Sequence, residues 1–467
     1  MKYVSTRGLA PALGFSDVLL AGLARDGGLY VPETWPRLSE ATIASFADMS
    51  YVDVATEIIQ PFVLGEIPRD TLRRMCLEAY ASFPDEAVAP LAKFGPDQWV
   101  LELYHGPTLA FKDIAMQLLA RMMDHVLAER DIRVTIVGAT SGDTGGAAIE
   151  AFRGRDNADV FILFPEGRVS PIQQRQMTTV VERNVHAIAV EGNFDDCQAI
   201  VKGLFNNEPF RESVNLTGVN SINWARILAQ IVYYFTAAVA LGAPRGPVSF
   251  TVPTGNFGDI FAGYAAKRMG LPIDRLVIAA NSNDILVRTL ESGRYELRPV
   301  SPTISPSMDI QVSSNFERLL FEVHGRDGAA VRRLMSELGN GAFALDKGPL
   351  EAIRGDFSAG RTDESETALA MREVQAMSGF LADPHTAVGL AVSQRFAKVG
   401  VPMITLATAH PAKFPAAVLA ATGQNPALPD SLGDLMERPE RFTTIANDRG
   451  AIERFIAEHS SAMLKKV

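Results

Sequence analysis

A lysine at the head of a long amphipathic segment is the residue of this sequence best placed to act as a nucleophile. Lys112 stands in HGPTLAFKDIAMQLLARMMDHVL, after a turn and directly behind Ala110 and Phe111. Apolar neighbours withhold water from its ammonium, and desolvation favours the neutral amine that forms a Schiff base with a carbonyl carbon. Read by itself, such a segment more often holds a solvated first-turn lysine paired with Asp113. Other segments change that balance.

SGDTGG follows VTIVGAT, so Ser141, Gly142, Asp143 and Thr144 lie where a strand gives way to a helix. Free backbone N–H groups and the positive end of the helix dipole suit a carboxylate or phosphate there, although the same residues also make a plain capped turn. TGNFGD follows VSFTVP in the same way, and the N–H groups of Gly255, Asn256, Phe257 and Gly258 form a second candidate anion cradle. Both loops are expected at one sheet edge, because ligands of open α/β sheets bind at the carboxyl ends of strands. NSINWARI contributes Asn220, Ser221, Asn223 and Arg226, two amides, a hydroxyl and a planar guanidinium fork suited to a further phosphate, although alone such a set more often makes a helix cap and a surface arginine. TLATAHPAKFP ends another strand with Thr408, His410 and Lys413, where His410 reads as a turn residue bonded to backbone. No GxGxxG follows a strand, no Walker loop occurs, and the histidines lack a ligand spacing such as HExxH, so dinucleotide, P-loop and metal-hydrolase chemistry have no support.

The elements that must position these residues follow from the apolar pattern. From Val134 onward, strand-length runs such as VFILFP, VSFTVP, RLVIAA and MITLA alternate with helix-length segments, which predicts βα units and a mainly parallel sheet. Residues 1–95 read as short helices broken by DGG and prolines, an N-terminal helical domain. The catalytic region is expected over 96–425, with a mobile or inserted subdomain near 300–380 where SPTISPSM and FSAGRTDESET interrupt the pattern. Residues 426–467 read as a helical extension, and the apolar stretch 227–241 as a buried helix rather than a membrane span.

At 467 residues the chain is long enough for roughly two or three domains. A formal net charge of −10 argues against a nucleic-acid partner, whose phosphates require a basic face. Cys76 and Cys197 stand far apart with no metal-type spacing and read as buried small side chains. The N-terminal segment carries mixed charges rather than a signal-peptide core, and no stretch supplies about 18 uninterrupted apolar residues, so a cytoplasmic protein without membrane contact is expected.

The lysine of HGPTLAFKD, then SGDTG, GNFGD and TAHPAKFP, in that order, together resemble threonine synthase, a fold-type II pyridoxal-phosphate enzyme, in its longer bacterial and fungal form. DGGLYVP, EGNFDDC and NSINWARI extend the resemblance over nearly the whole chain. It implies two open, mainly parallel sheets with flanking helices. It makes Lys112 the Schiff-base lysine of pyridoxal 5'-phosphate, and gives the cofactor phosphate to Gly255, Asn256, Phe257, Gly258 and Asp259 and the pyridine nitrogen to Thr408. Ser141, Gly142, Asp143 and Thr144 would hold the substrate carboxylate, and Asn220, Ser221 and Arg226 the phosphate of O-phospho-L-homoserine. Where some relatives have a phosphate-gripping lysine, this chain has GRVSPIQQRQ, leaving Arg168 and Arg175 as substitutes. The implied reaction makes L-threonine and phosphate by γ-elimination and β-addition of water. A phospho-lyase or dehydratase of the same fold is the alternative, and both monomer and homodimer stay open.

Overall fold

The computed structural model describes residues 1–464. Its two main sheets are built from the apolar runs. The larger has six strands in the order Phe357–Arg361, Ile273–Ala280, Val248–Pro253, Met403–Ala407, Gln98–Glu102 and Leu91–Gly95. All its pairings are parallel except the last, an edge hairpin. The smaller has five parallel strands, ordered Thr443–Ala446, Val185–Glu191, Ala158–Pro165, Val134–Ala139 and Leu216–Thr217. Parallel strands covered by helices on both faces need apolar side chains throughout, and Ala158–Pro165 and Val248–Pro253 are buried along their whole length.

The helices Lys112–Glu129 and Trp224–Ala240 pack together, and one continuous apolar core joins them to the N-terminal helices and to both sheets. Asn223 caps the second helix through the Ala225 N–H at 3.0 Å, and apolar residues on nearly every side bury it as a core helix.

Three regions differ from the sequence pattern. The N-terminal part adds to its helices a two-stranded antiparallel sheet, Tyr3–Ser5 with Tyr30–Pro32, and strands this short carry no legible alternation. The hairpin that starts at Leu91 belongs to the larger sheet. The 300–380 segment gives Phe357–Arg361 to that sheet, while its residues 301–315 form a strap bonded to the loops that follow Val248–Pro253 and Ile273–Ala280. There the Asp309 carboxylate accepts from Thr303 Oγ1 at 2.7 Å, Asn281 Nδ2 at 2.8 Å and Asn283 Nδ2 at 2.9 Å. The C-terminal part supplies Thr443–Ala446 to the smaller sheet as well as the helix Arg449–His459.

Candidate active site

Lys112 is the first residue of its helix, and the turn before it is held by its neighbour. Asp113 does not pair with Lys112; its buried carboxylate accepts from Thr108 N at 2.8 Å and Thr108 Oγ1 at 2.6 Å. A Cβ on Gly106 would come within 2.5 Å of Asp113 Cβ, so only glycine lets the turn close. Burial lifts the Asp113 carboxyl to about 6 against the pull of Thr108 and Lys413. The Lys112 Nζ then lies buried, 3.2 Å from Asp143 Oδ2 and 4.8 Å from the Phe111 ring centroid. Desolvation lowers its pKa, opposed by Asp143 and reinforced by the positive charges of Lys413 and Arg226. Such surroundings ease the loss of its proton.

The two glycine-bearing loops end strands of different sheets, not of one. SGDT leaves Val134–Ala139 of the smaller sheet and TGN leaves Val248–Pro253 of the larger. They meet through the strap, whose Ser307 carbonyl sits 2.7 Å from where a Gly255 Cβ would lie and whose Ser307 Oγ is 3.5 Å from Asp143 Oδ2. The cleft is thus an inter-sheet cleft with Lys112 inside it.

The four residues expected to hold a carboxylate do not offer equivalent groups. Gly142, at φ 147°, takes a backbone no side-chain residue adopts easily, and its N–H and that of Gly145 are both taken by Thr140 Oγ1. The Asp143 carboxylate is tied to cations, Lys112 at 3.2 Å and Lys413 Nζ at 2.8 Å, and accepts from Gln173 Nε2 at 2.8 Å. Burial would raise its pKa, yet Lys413 and Lys112 hold it well below the carboxylate range. An anion therefore finds Ser141 and Thr144 and the helix N-terminus there, not the Asp143 side chain.

At the second loop, Gly255 O accepts from Ser313 Oγ at 2.7 Å, while Asn256 O accepts from Asn315 N at 3.0 Å and Nδ2 at 2.9 Å. Because C=O and the following N–H point opposite ways across a trans peptide, the N–H groups of Asn256 and Phe257 face away from that strap. Phe257 adopts φ 62°, the left-handed turn that brings Gly258 and Asp259 into the first turn of the helix Gly258–Arg268. Arg226 lies buried at the start of its own helix, its Nη1 3.4 Å from Val219 O and its Nε without a protein partner. Burial lowers that guanidinium to about 10. Asn220 is exposed and Ser221 half-buried beside it, with Ser221 O bound by Asn315 Nδ2 at 3.2 Å. Thr408 is buried next to the lysine, its carbonyl accepting from Phe111 N at 2.9 Å. His410 does bond backbone, its Nδ1 accepting from Ala412 N at 3.2 Å. Arg175 turns away to Arg438 O and Glu440, and Arg168 is exposed, so neither joins Lys112.

Several residues of this constellation carry no local signal of their role. Lys413 is fully buried and also donates to Thr108 O at 2.6 Å. Arg318, fully buried, donates to Tyr30 O at 3.0 Å, Ile222 O at 2.6 Å and Asn315 Oδ1, tying the turn before Arg226 and, through Asn315, the Gly255–Gly258 loop to the N-terminal part. Asp383 accepts from His385 Nδ1 at 2.7 Å, and His385 Nε2 accepts from Ser307 N at 3.2 Å, which anchors the strap. An Asp-Pro-His sequence before an apolar helix is a capping signal that could have singled out Asp383.

A desolvated lysine beside N–H groups and a buried guanidinium with a free Nε fits an anionic aldehyde cofactor. Residues 86–337 match the family described as pyridoxal-phosphate dependent enzyme, 2–80 match the threonine synthase N terminus, and 386–456 match the threonine synthase C-terminal family. The chain is 52% identical to a threonine synthase of Pseudomonas aeruginosa over 99% of both chains. The chain belongs to the threonine synthase family. A threonine synthase of Saccharomyces cerevisiae is 43% identical over 89% of this chain and 88% of its own. The solved structure of pyridoxal-phosphate-bound threonine synthase from Brucella melitensis superimposes with a TM-score of 0.97 at 62% identity, covering 99% of this chain and all of that one. The yeast threonine synthase structure does so at 0.94 and 40%, covering 100% and 99%. Pyridoxal phosphate is the cofactor and the fold is that of the fold-type II enzymes. Threonine synthase is also the function of this chain, which acts on a small-molecule substrate. No helix among the described residues is long and apolar enough to cross a membrane.

Proposed function

We propose that the substrate is O-phospho-L-homoserine, converted with water to L-threonine and phosphate, and that Lys112 holds the cofactor and moves the protons. The single observation that carries this is the desolvated Lys112 amine, 3.2 Å from Asp143 and close to an unpaired, buried Arg226. Bound in this cleft, pyridoxal phosphate supplies an electron-withdrawing ring that stabilises negative charge on substrate carbon. Gly255, Asn256, Phe257, Gly258 and Asp259 would hold the cofactor phosphate, and Thr408 would face the ring nitrogen. A neutral Thr408 hydroxyl at that nitrogen avoids fixing a full positive charge on it.

Ser141 and Thr144, at the N-terminus of the helix that begins at Asp143, would take the substrate carboxylate, with Gly142 and Asp143 shaping the loop. Asn220, Ser221 and Arg226 would grip the substrate phosphate. Held in place before reaction, the same donors stabilise the charge that develops as phosphate leaves Cγ. Lys112, once free, takes a proton from substrate carbon and returns one, and Asp143 and Lys413 set its basicity from either side. We also divide the chain into an N-terminal part, a catalytic region and a C-terminal extension, drawing the first boundary before the Leu91 hairpin.

The test is product analysis with O-phosphohomoserine. Equal amounts of threonine and phosphate support the proposal. Phosphate together with a keto acid and ammonia would assign the site to the phospho-lyase alternative.

A further inference from the structure

Four helices begin around the cleft, at Lys112, Asp143, Trp224 and Gly258, and their N-termini make it electropositive. Asp259 is the group that does not conform. Its carboxyl is buried in the first turn of the last of these helices, yet it forms no ion pair among the described residues. Oδ1 accepts from the hydroxyl of Tyr233 and shares that of Tyr234, at 3.0 Å, with the Asp259 carbonyl oxygen at 2.9 Å. Oδ2 is buried without a protein partner. Lys112, the cation that acts on it, gives its own hydrogen bond to Asp143.

We propose that Asp259 is a neutral carboxylic acid whose Oδ2–H donates a hydrogen bond to the phosphate of the bound cofactor. This rests on Gly255–Asp259 being the phosphate cradle. An ionised Asp259 would set a like charge against that phosphate, whereas the acid form adds a donor to the N–H groups of the same loop. The two phenols decide which oxygen carries the proton. Tyr233 donates to Oδ1 and Tyr234 shares its proton between Oδ1 and the Asp259 carbonyl, which makes Oδ1 the carbonyl-type oxygen and leaves the proton for Oδ2. The groups facing the carboxyl are Lys112 from one helix and Tyr233 and Tyr234 from another. Burial lifts the carboxyl to about 6, the phenols and Lys112 pull it down, and a phosphate dianion on the adjoining N–H groups pushes it further up. A carboxylic acid kept neutral by its site in this way can serve as a hydrogen-bond donor at neutral pH.

The experiment combines infrared spectra and phosphorus NMR of wild-type and Asp259→Asn holoenzymes, at a pH where exposed carboxyl groups are ionised. We expect a protonated-carboxyl stretch in wild type that the variant lacks, with the cofactor phosphorus resonance displaced in the variant. The near-isosteric amide keeps a donor, so cofactor affinity should stay within about threefold in Asp259→Asn and fall about tenfold to a hundredfold in Asp259→Leu. A displaced resonance without the carboxyl stretch overturns the neutral acid alone and leaves the cradle standing. A resonance that neither Asp259→Asn nor Asp259→Leu moves overturns both.

Discussion

Replacing Lys413 with methionine removes one of two cations from the buried Asp143 carboxylate. The lost contacts are Lys413 Nζ to Asp143 Oδ1 at 2.8 Å and to Thr108 O at 2.6 Å, from a side chain with no solvent exposure. Breaking a buried ion pair from one side costs about 3–5 kcal/mol. Asp143 keeps Lys112 at 3.2 Å and Gln173 at 2.8 Å, so we expect the lower end, about 3 kcal/mol. Chemical denaturation of the ligand-free protein reads this as a lower midpoint. The same substitution removes a positive charge that depresses the Lys112 pKa, so Lys112 holds its proton more tightly. Cofactor uptake, followed by visible absorbance, should slow near neutral pH and its pH profile should move upward. An unchanged midpoint together with an unshifted profile would refute the coupling of Lys413 to Lys112 through Asp143.

Arg226→Gln should lower kcat/KM for the phosphorylated substrate about tenfold to a hundredfold, since a charge-assisted bond contributes about 1.5–3 kcal/mol. Because that guanidinium is buried with an unpartnered Nε, the ligand-free variant should be no less stable than wild type, a pairing of results that steady-state kinetics and denaturation check together. Arg318→Lys cannot span Tyr30 O, Ile222 O and Asn315 Oδ1 at once, and leaving buried acceptors unmet should destabilise the protein by roughly 2–4 kcal/mol and raise KM, measured by urea midpoint and kinetics. For His410, burial depresses the folded pKa from 6.5 to about 4, so the unfolded chain binds the extra proton first. Its contribution is full above about pH 6.5 and is lost as pH falls towards about 4; His410→Asn keeps a cap for Ala412 N and should flatten that part of the stability profile.

Much of this was legible because strands and loops announce themselves locally. VSFTVP and VFILFP are buried runs of strand length, and the small residues after VTIVGAT and VSFTVP mark strand-to-helix turns. What local pattern does not carry is pairing. Nothing in either loop says that one belongs to a five-stranded and the other to a six-stranded sheet, because the choice is made by strands far away in the chain. The Lys413–Asp143 pair joins residues on separate strand ends for the same reason, and Arg318 reads as an ordinary helix arginine in FERLLFEV until its three acceptors are seen. Tyr233 and Tyr234 are a partial exception. Two tyrosines inside an apolar, largely buried helix require hydrogen-bond partners, which points to a polar group packed against it, here Asp259.

The central claim, that Lys112 carries the cofactor, is tested most directly by borohydride reduction of the loaded protein, proteolysis and mass spectrometry of the peptides. We predict a pyridoxyl group on Lys112 alone, with Lys112→Ala protein unlabelled although folded. Label on Lys413, or on any other lysine of the wild-type protein, would contradict it.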